Sequence, residues 1–157
     1  TQDGWRRVVM TVDSGAVDTV SPPGCFPAPV EQNIATRTGF NYYGPDGTVI
    51  PHLGEQVIRG TTSLGESISL VTQVAAITKP LLAVNKFARQ GNKVVFEGEG
   101  GYIENSNGQR TEIKLVNGDY QIEVWVHHGS GQGNWDTERA TQLAAVTNEG
   151  QQTGAPL

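Results

Sequence analysis

Val12-Asp13-Ser14-Gly15-Ala16 closes a strand-like run that begins at Trp5, and how this stretch is read decides the fold. In Trp5 to Val12 the residues Val8, Met10 and Val12 fall on one face, Val9 and Thr11 on the other. Apolar residues on both faces mark a strand covered on both sides, an interior strand. At its end stand an acid, a small hydroxyl residue and a glycine. A carboxylate there is held in a low-dielectric place, on a turn that glycine makes easy. Asp13 is therefore the candidate catalytic acid. Alone, Asp-Ser-Gly is also an ordinary Asx-type turn in which the carboxylate accepts from neighbouring N–H groups, so its context has to decide.

Working outward, Val17 to Val20 reads as the start of a second strand. Pro22, Pro23, Pro27 and Pro29 then exclude a sheet interior, and 21–37 is expected to be a surface loop, ordered or mobile. Gly39 to Tyr43 and Thr48 to Ile50 flank Gly44-Pro45-Asp46-Gly47, where proline pre-sets φ and glycine accepts a positive one, giving a hairpin. After Pro51-His52-Leu53-Gly54 a further strand is expected over Glu55 to Thr62. Ile68, Leu70, Thr72 and Val74 alternate as a strand does. The period then changes. Pro80, Leu81, Val84, Phe87, Ala88 and Gly91 predict a helix of about three turns, with proline at its start and glycine just past its end. Lys93 to Phe96 and Gly101 to Glu104 read as short strands. Arg110 to Val116 and Asp119 to Val126 form a hairpin about Asn117-Gly118, the strongest short signal for a type I′ turn.

The 157 residues are expected to form one domain over 1–126, with 127–157 a Gly-, Gln- and Asn-rich linker or tail that has room for a short helix near Asp136 to Val146. Twenty glycines and 17% charged residues favour a mostly β protein. A net charge of -5, with no basic cluster beyond Arg6-Arg7, argues against a nucleic-acid partner. No run of 18 apolar residues is present, so no membrane partner is expected. Cys25 alone makes neither an intrachain disulfide nor a cysteine zinc site, which fits a reducing compartment. A start at Thr1 rather than Met is what a piece excised from a longer polypeptide would show.

Three stretches in order resemble the retropepsin-like aspartic proteases of retroviruses and LTR retrotransposons, the copia type above all. Asp13-Ser14-Gly15-Ala16 with Asp18-Thr19-Val20 looks like the active-site loop and the strand after it. Tyr42 to Ile50 looks like the flap hairpin. Val74 through Phe96, with Leu81-Leu82-Ala83-Val84 and Gly91 to Phe96, looks like the helix and closing strand. The resemblance implies a closed, barrel-like β protomer with one short helix. It departs from retroviral members at Val17, where many carry an acid. It departs again at Thr78-Lys79-Pro80, where a Gly-Arg pair with a bracing arginine is usual.

What the resemblance implies can be set against the chemistry. Peptide hydrolysis by this route needs two carboxylates about 3 Å apart sharing one proton. The chain carries one Asp-Ser-Gly, and neither Asp46 nor Asp119 repeats it. Given the resemblance, the site forms only when two chains pair about a two-fold axis, each giving one Asp13. Asp13 would be the acid/base, Gly15 would admit the substrate backbone beside Ala16, and Ser14 would lock the two loops together or serve as a turn hydroxyl. Asp18 would line a substrate pocket or face solvent. Tyr43, Gly44 and Gly47 would close over the peptide. The implied protein is a homodimeric endopeptidase acting on polypeptide, inside the cell in a retroelement polyprotein or particle, with no cofactor and no metal. The rival is a non-catalytic β module of the same fold for dimerisation or peptide binding. Ser14 lacks the Gly-x-Ser-x-Gly context of a serine hydrolase, and His52, His127 and His128 lack a ligand pattern.

Overall fold

The computed structural model describes residues 4–128 and 154–156. It is mostly β, with two short helices. In chain order the elements are β1 (Trp5–Asp13), β2 (Val20–Ser21), α1 (Ile34–Arg37), β3 (Asn41–Tyr43), β4 (Val49–Thr62), β5 (Ser67–Ala75), β6 (Leu81–Ala83), α2 (Val84–Arg89), β7 (Lys93–Glu97), β8 (Gly100–Glu104), β9 (Arg110–Val116), β10 (Asp119–His127) and β11 (Gly154–Pro156).

β1 is an interior strand, as its two-sided apolarity predicts. It pairs antiparallel with β10 from Trp5–His127 to Thr11–Gln121, and parallel with β6 from Thr11–Leu81 to Asp13–Ala83. Val8, Met10 and Val12 are buried, whereas Val9 and Thr11 on the other face are half-buried. The sheet runs β11-β3-β4-β5-β2-β6-β1-β10-β9-β8-β7. β10 also pairs with β4, at Val124–Thr62 and Trp125–Thr61, so the ladders from β4 round to β10 return on themselves. The main core fills this circuit with Val8, Met10, Ile58, Leu70, Leu82, Ile122, Val124 and their neighbours. A second cluster of Val20, Ala35, Phe40, Tyr42 and Ala75 lies at the root of the β3–β4 hairpin. Both hairpins expected from turn chemistry form, and Asn117 and Gly118 take the positive φ values, 49° and 84°, of a type I′ turn.

Three expectations need correction. The helix expected from Pro80 begins only at Val84 and is six residues long, because Leu81 to Ala83 pair with β1 and β2 as a strand. Its end is as expected: Asn92 N–H bonds Phe87 C=O and Gly91 N–H bonds Ala88 C=O, a Schellman closure. Strand β4 does not break at Pro51 to Gly54 but runs 14 residues from Val49 to Thr62. Pro51 is opposite Asn41 in an antiparallel ladder where Gly44 N–H bonds Thr48 C=O. Counting back by twos makes Tyr42–Ile50 the hydrogen-bonded pair and Asn41–Pro51 a non-bonded one, where a missing N–H costs nothing. The extra residue at Leu53 is absorbed as a bulge between His52 and Gly54.

The 21–37 loop is ordered, one of the two states expected for it, and it carries α1. Phe26 is buried in the main core, Gln56 Nε2 donates to the Phe26 and Ala28 carbonyls, and Asn33 caps α1. The third correction concerns the start of 127–157: His127 belongs to β10, and within the expected linker or tail Gly154 to Pro156 pair as a strand with β3. The helix expected near Asp136 to Val146 lies outside the described residues. Among the described residues no helix is long and apolar enough to cross a membrane.

Gly54 joins the bulge to this loop. Its φ is +152°, and a Cβ there would come within 2.6 Å of Val30 Cγ1 and 2.7 Å of Glu31 O, beside the Glu31–Glu55 bridge. Gly54→Ala is expected to cost about 2–3 kcal/mol of stability, read as a lowered denaturation midpoint at unchanged m-value. A midpoint equal to wild type would contradict this packing.

Candidate active site

Asp13 ends β1 and is half-exposed, with Ser14 and Gly15 exposed beside it. Its Oδ1 accepts from the Gly15 N–H at 2.7 Å, so the carboxylate is oriented by its own turn. A Cβ on Gly15 would sit 3.3 Å from that same oxygen. Glycine leaves the carboxylate a few tenths of an ångström more room than a side chain here would.

After Gly15 the chain turns inward. Ala16, Asp18, Thr19, Val20 and Ser21 are all buried. The buried loop is tied down from both sides. From the β6–α2 side, Ala83 N–H donates to Thr19 Oγ1 at 3.1 Å and Asn85 Nδ2 donates to Ala16 O at 3.3 Å. From the β5 side, Gln73 N–H donates to Thr19 O, and the Ser21 and Thr72 hydroxyls share a bond of 2.8 Å.

At its centre is Asp18, 1% exposed. Tyr42 of β3 donates its hydroxyl to Asp18 Oδ2 at 2.8 Å, and Lys86 of α2 places its ammonium 3.2 Å from Oδ1, an ion pair rather than an aligned hydrogen bond. Burial above all, then the charge and hydrogen bond of Asp18, raise the Tyr42 hydroxyl far above its ordinary value, so it stays a donor. Of the two places expected for Asp18, a substrate pocket or solvent, its burial rules out solvent. Asp18 joins the Asp13 loop to the hairpin and the helix. The cation that stands against Asp18 comes from within the helix, at Lys86.

The hairpin splits its two tyrosines by alternation. Tyr42 points into the second cluster, while Tyr43 is exposed with Gly47 at the tip, and Gly44 is half-buried between them. Asp46 accepts from the Thr48 N–H and shapes the tip. The Thr48 bonds hold the Asp46 carboxyl below its ordinary value.

Under the hairpin lies a polar network with no counterpart in the sequence reading. Glu55 Oε2 accepts from Asn33 Nδ2 and Gln73 Nε2; Gln73 Oε1 accepts from Asn33 Nδ2 and, at 2.7 Å, from His52 Nε2. The Thr36 hydroxyl lies 3.1 Å from both His52 Nδ1 and Asn33 Oδ1, two acceptors for its one proton when His52 is neutral with its hydrogen on Nε2. Phe40 and Tyr42 meet the His52 ring edge-on. Burial raises the Glu55 carboxyl against the pull of its Gln73 and Asn33 donors, and burial lowers the His52 imidazole. The network is built for neutral groups.

These residues come from α1, β4 and β5 and share no local spacing, so no motif announces them. Among the described residues no group of three or more His, Cys, Asp or Glu side chains is placed to hold a metal ion. Comparison with family models, curated proteins and solved structures returns no match. The site's own geometry is what bears on function.

Two outcomes test this geometry. Lys86→Met leaves the buried Asp18 charge without its cation and is expected to cost about 3 kcal/mol in chemical denaturation, whereas an exposed pair would cost under about 1. For Glu55, a carboxyl raised by folding holds its proton more tightly in the native chain than in the unfolded one. Its contribution to stability therefore falls as pH rises from 4.5 through the folded value. Glu55→Gln removes that fall, so its melting temperature relative to wild type should rise between pH 4.5 and pH 8. A constant difference would show that Glu55 is not buried.

Proposed function

We propose that two copies of this chain form an aspartic endopeptidase of the retropepsin type, each supplying one Asp13. The proposed protomer is the closed β barrel of that family, with the β3–β4 hairpin as its flap. What supports the reading most is one observation. Asp13 ends an interior strand on an Asx turn that leaves it half-exposed, while the residues just after it are buried and braced from two sides. A structural turn needs no such bracing; a catalytic carboxylate does, because it must meet its partner within fractions of an ångström.

In the dimer one Asp13 is protonated and the other is a carboxylate. The carboxylate takes a proton from a water held between them, and the hydroxide adds to the peptide carbonyl. The acid gives its proton to the carbonyl oxygen. Return of a proton to the amide nitrogen then breaks the C–N bond and releases the amine. Gly15 keeps the approach to Asp13 open, Ser14 ties loop to loop, and Tyr43 with the Gly44–Gly47 tip covers the peptide and excludes water. Among the described residues, β6 pairs with the Thr11–Asp13 end of one edge of β1. The Trp5–Met10 part of that edge is where the second copy would add strands.

The reading predicts a dimer in sedimentation, cleavage of polypeptide inhibited by a statyl-type mimic, and loss of roughly a thousandfold in rate for Asp13→Asn. A fully active monomer, or an Asp13→Asn chain that cleaves as well as wild type, would overturn it. A dimer that cleaves nothing and binds no statyl mimic would favour the non-catalytic module.

A further inference from the structure

β3 is an unguarded edge. The far edge of the sheet, β7, carries Lys93 and Glu97, charges that discourage pairing with another strand. β3 reads Asn41-Tyr42-Tyr43 and carries none. Backbone alternation fixes what it offers. Gly44 N–H bonds Thr48 C=O, so Tyr42, two residues back, also turns its N–H and C=O toward β4. Asn41 and Tyr43 therefore turn theirs outward.

β11 lies along this edge, parallel, with Gly154 opposite Asn41, Ala155 opposite Tyr42 and Pro156 opposite Tyr43. In a parallel ladder the residue opposite Tyr42 spans its two outward-facing neighbours. Ala155 N–H is thus aimed at Asn41 C=O, and Ala155 C=O receives Tyr43 N–H. Gly154 and Pro156 turn their backbone groups away, and the N–H that Pro156 lacks is not missed. The register suits this segment: a proline one residue earlier would remove a bond.

We propose that the outer edge of β3 is a docking site for an extended polypeptide segment and that Gly154–Pro156 of the same chain is its resident occupant. The site selects by backbone, demanding an N–H at the residue opposite Tyr42 and accepting proline at the next. Covalent linkage makes the docking intramolecular, so few bonds suffice to hold it. If the chain is the peptidase proposed above, the occupant lies on the hairpin that closes over substrate and competes with it there.

Amide exchange followed by NMR tests this in the full chain. Tyr43 N–H reports the outer edge, and Tyr42 N–H, which faces β4, is the internal control. Ala155→Pro should speed Tyr43 exchange about tenfold relative to wild type, with Tyr42 unchanged, and Pro156→Ala should leave both as in wild type. Equal Tyr43 rates in the three chains, or equal acceleration of Tyr42 and Tyr43, would overturn the proposal. Peptide cleavage assayed on the same samples separates the two readings. A lower KM in Ala155→Pro supports competition, whereas the expected exchange pattern with no cleavage by any chain keeps the docking site and removes the peptidase.

Discussion

A buried carboxylate, Asp18, is the constraint on which the rest of the arrangement depends. Its charge is out of water, and it persists there because Tyr42 donates to one oxygen and Lys86 stands against the other. Such a pair adds little net stability over an apolar packing, yet losing one member is costly. Its effect is therefore to specify geometry. The three partners belong to the Asp13 loop, the β3–β4 hairpin and helix α2, which lie far apart in sequence. With Asp18 satisfied, the loop cannot shift against the hairpin without leaving a charge unpaired in the interior. Asp13, five residues upstream, takes its position from this.

Next to the charged contact is one that avoids charge. Glu55, Gln73, Asn33, His52 and Thr36 share protons through a chain of bonds in which burial keeps both ionisable members toward their neutral forms. The two members answer pH in opposite directions. Stability linked to Glu55 falls as pH rises from 4.5, and stability linked to His52 falls as pH drops below 6.5.

What could be read from the sequence was what depends on near neighbours. The two-sided run Trp5 to Val12, the Pro-Asp-Gly and Asn-Gly turns, and the Gly91 stop each gave the right element, because each signal lies within a few residues. The start of α2 was misplaced because Leu81 and Leu82 satisfy a helical spacing equally well, and only their pairing with β1 and β2 decides for a strand. Pro51 looked like a break since its harmlessness depends on the register of a partner strand. Asp13, Ser14 and Gly15 were legible as a motif. Lys86, Tyr42, Asn85 and the Glu55 network were not, because a buried polar contact between distant segments leaves no periodicity. Asp18 was seen as a candidate but its partners were not, since Tyr42 and Lys86 come from distant segments.

One distance carries the account. A crystal structure of the assembled protein would give the separation of the two Asp13 carboxylates directly. The account predicts oxygen atoms of the two side chains about 3 Å apart across a two-fold axis, close enough to share a proton. Two copies whose Asp13 side chains face away from one another, or lie too far apart for a single water to bridge, would contradict it.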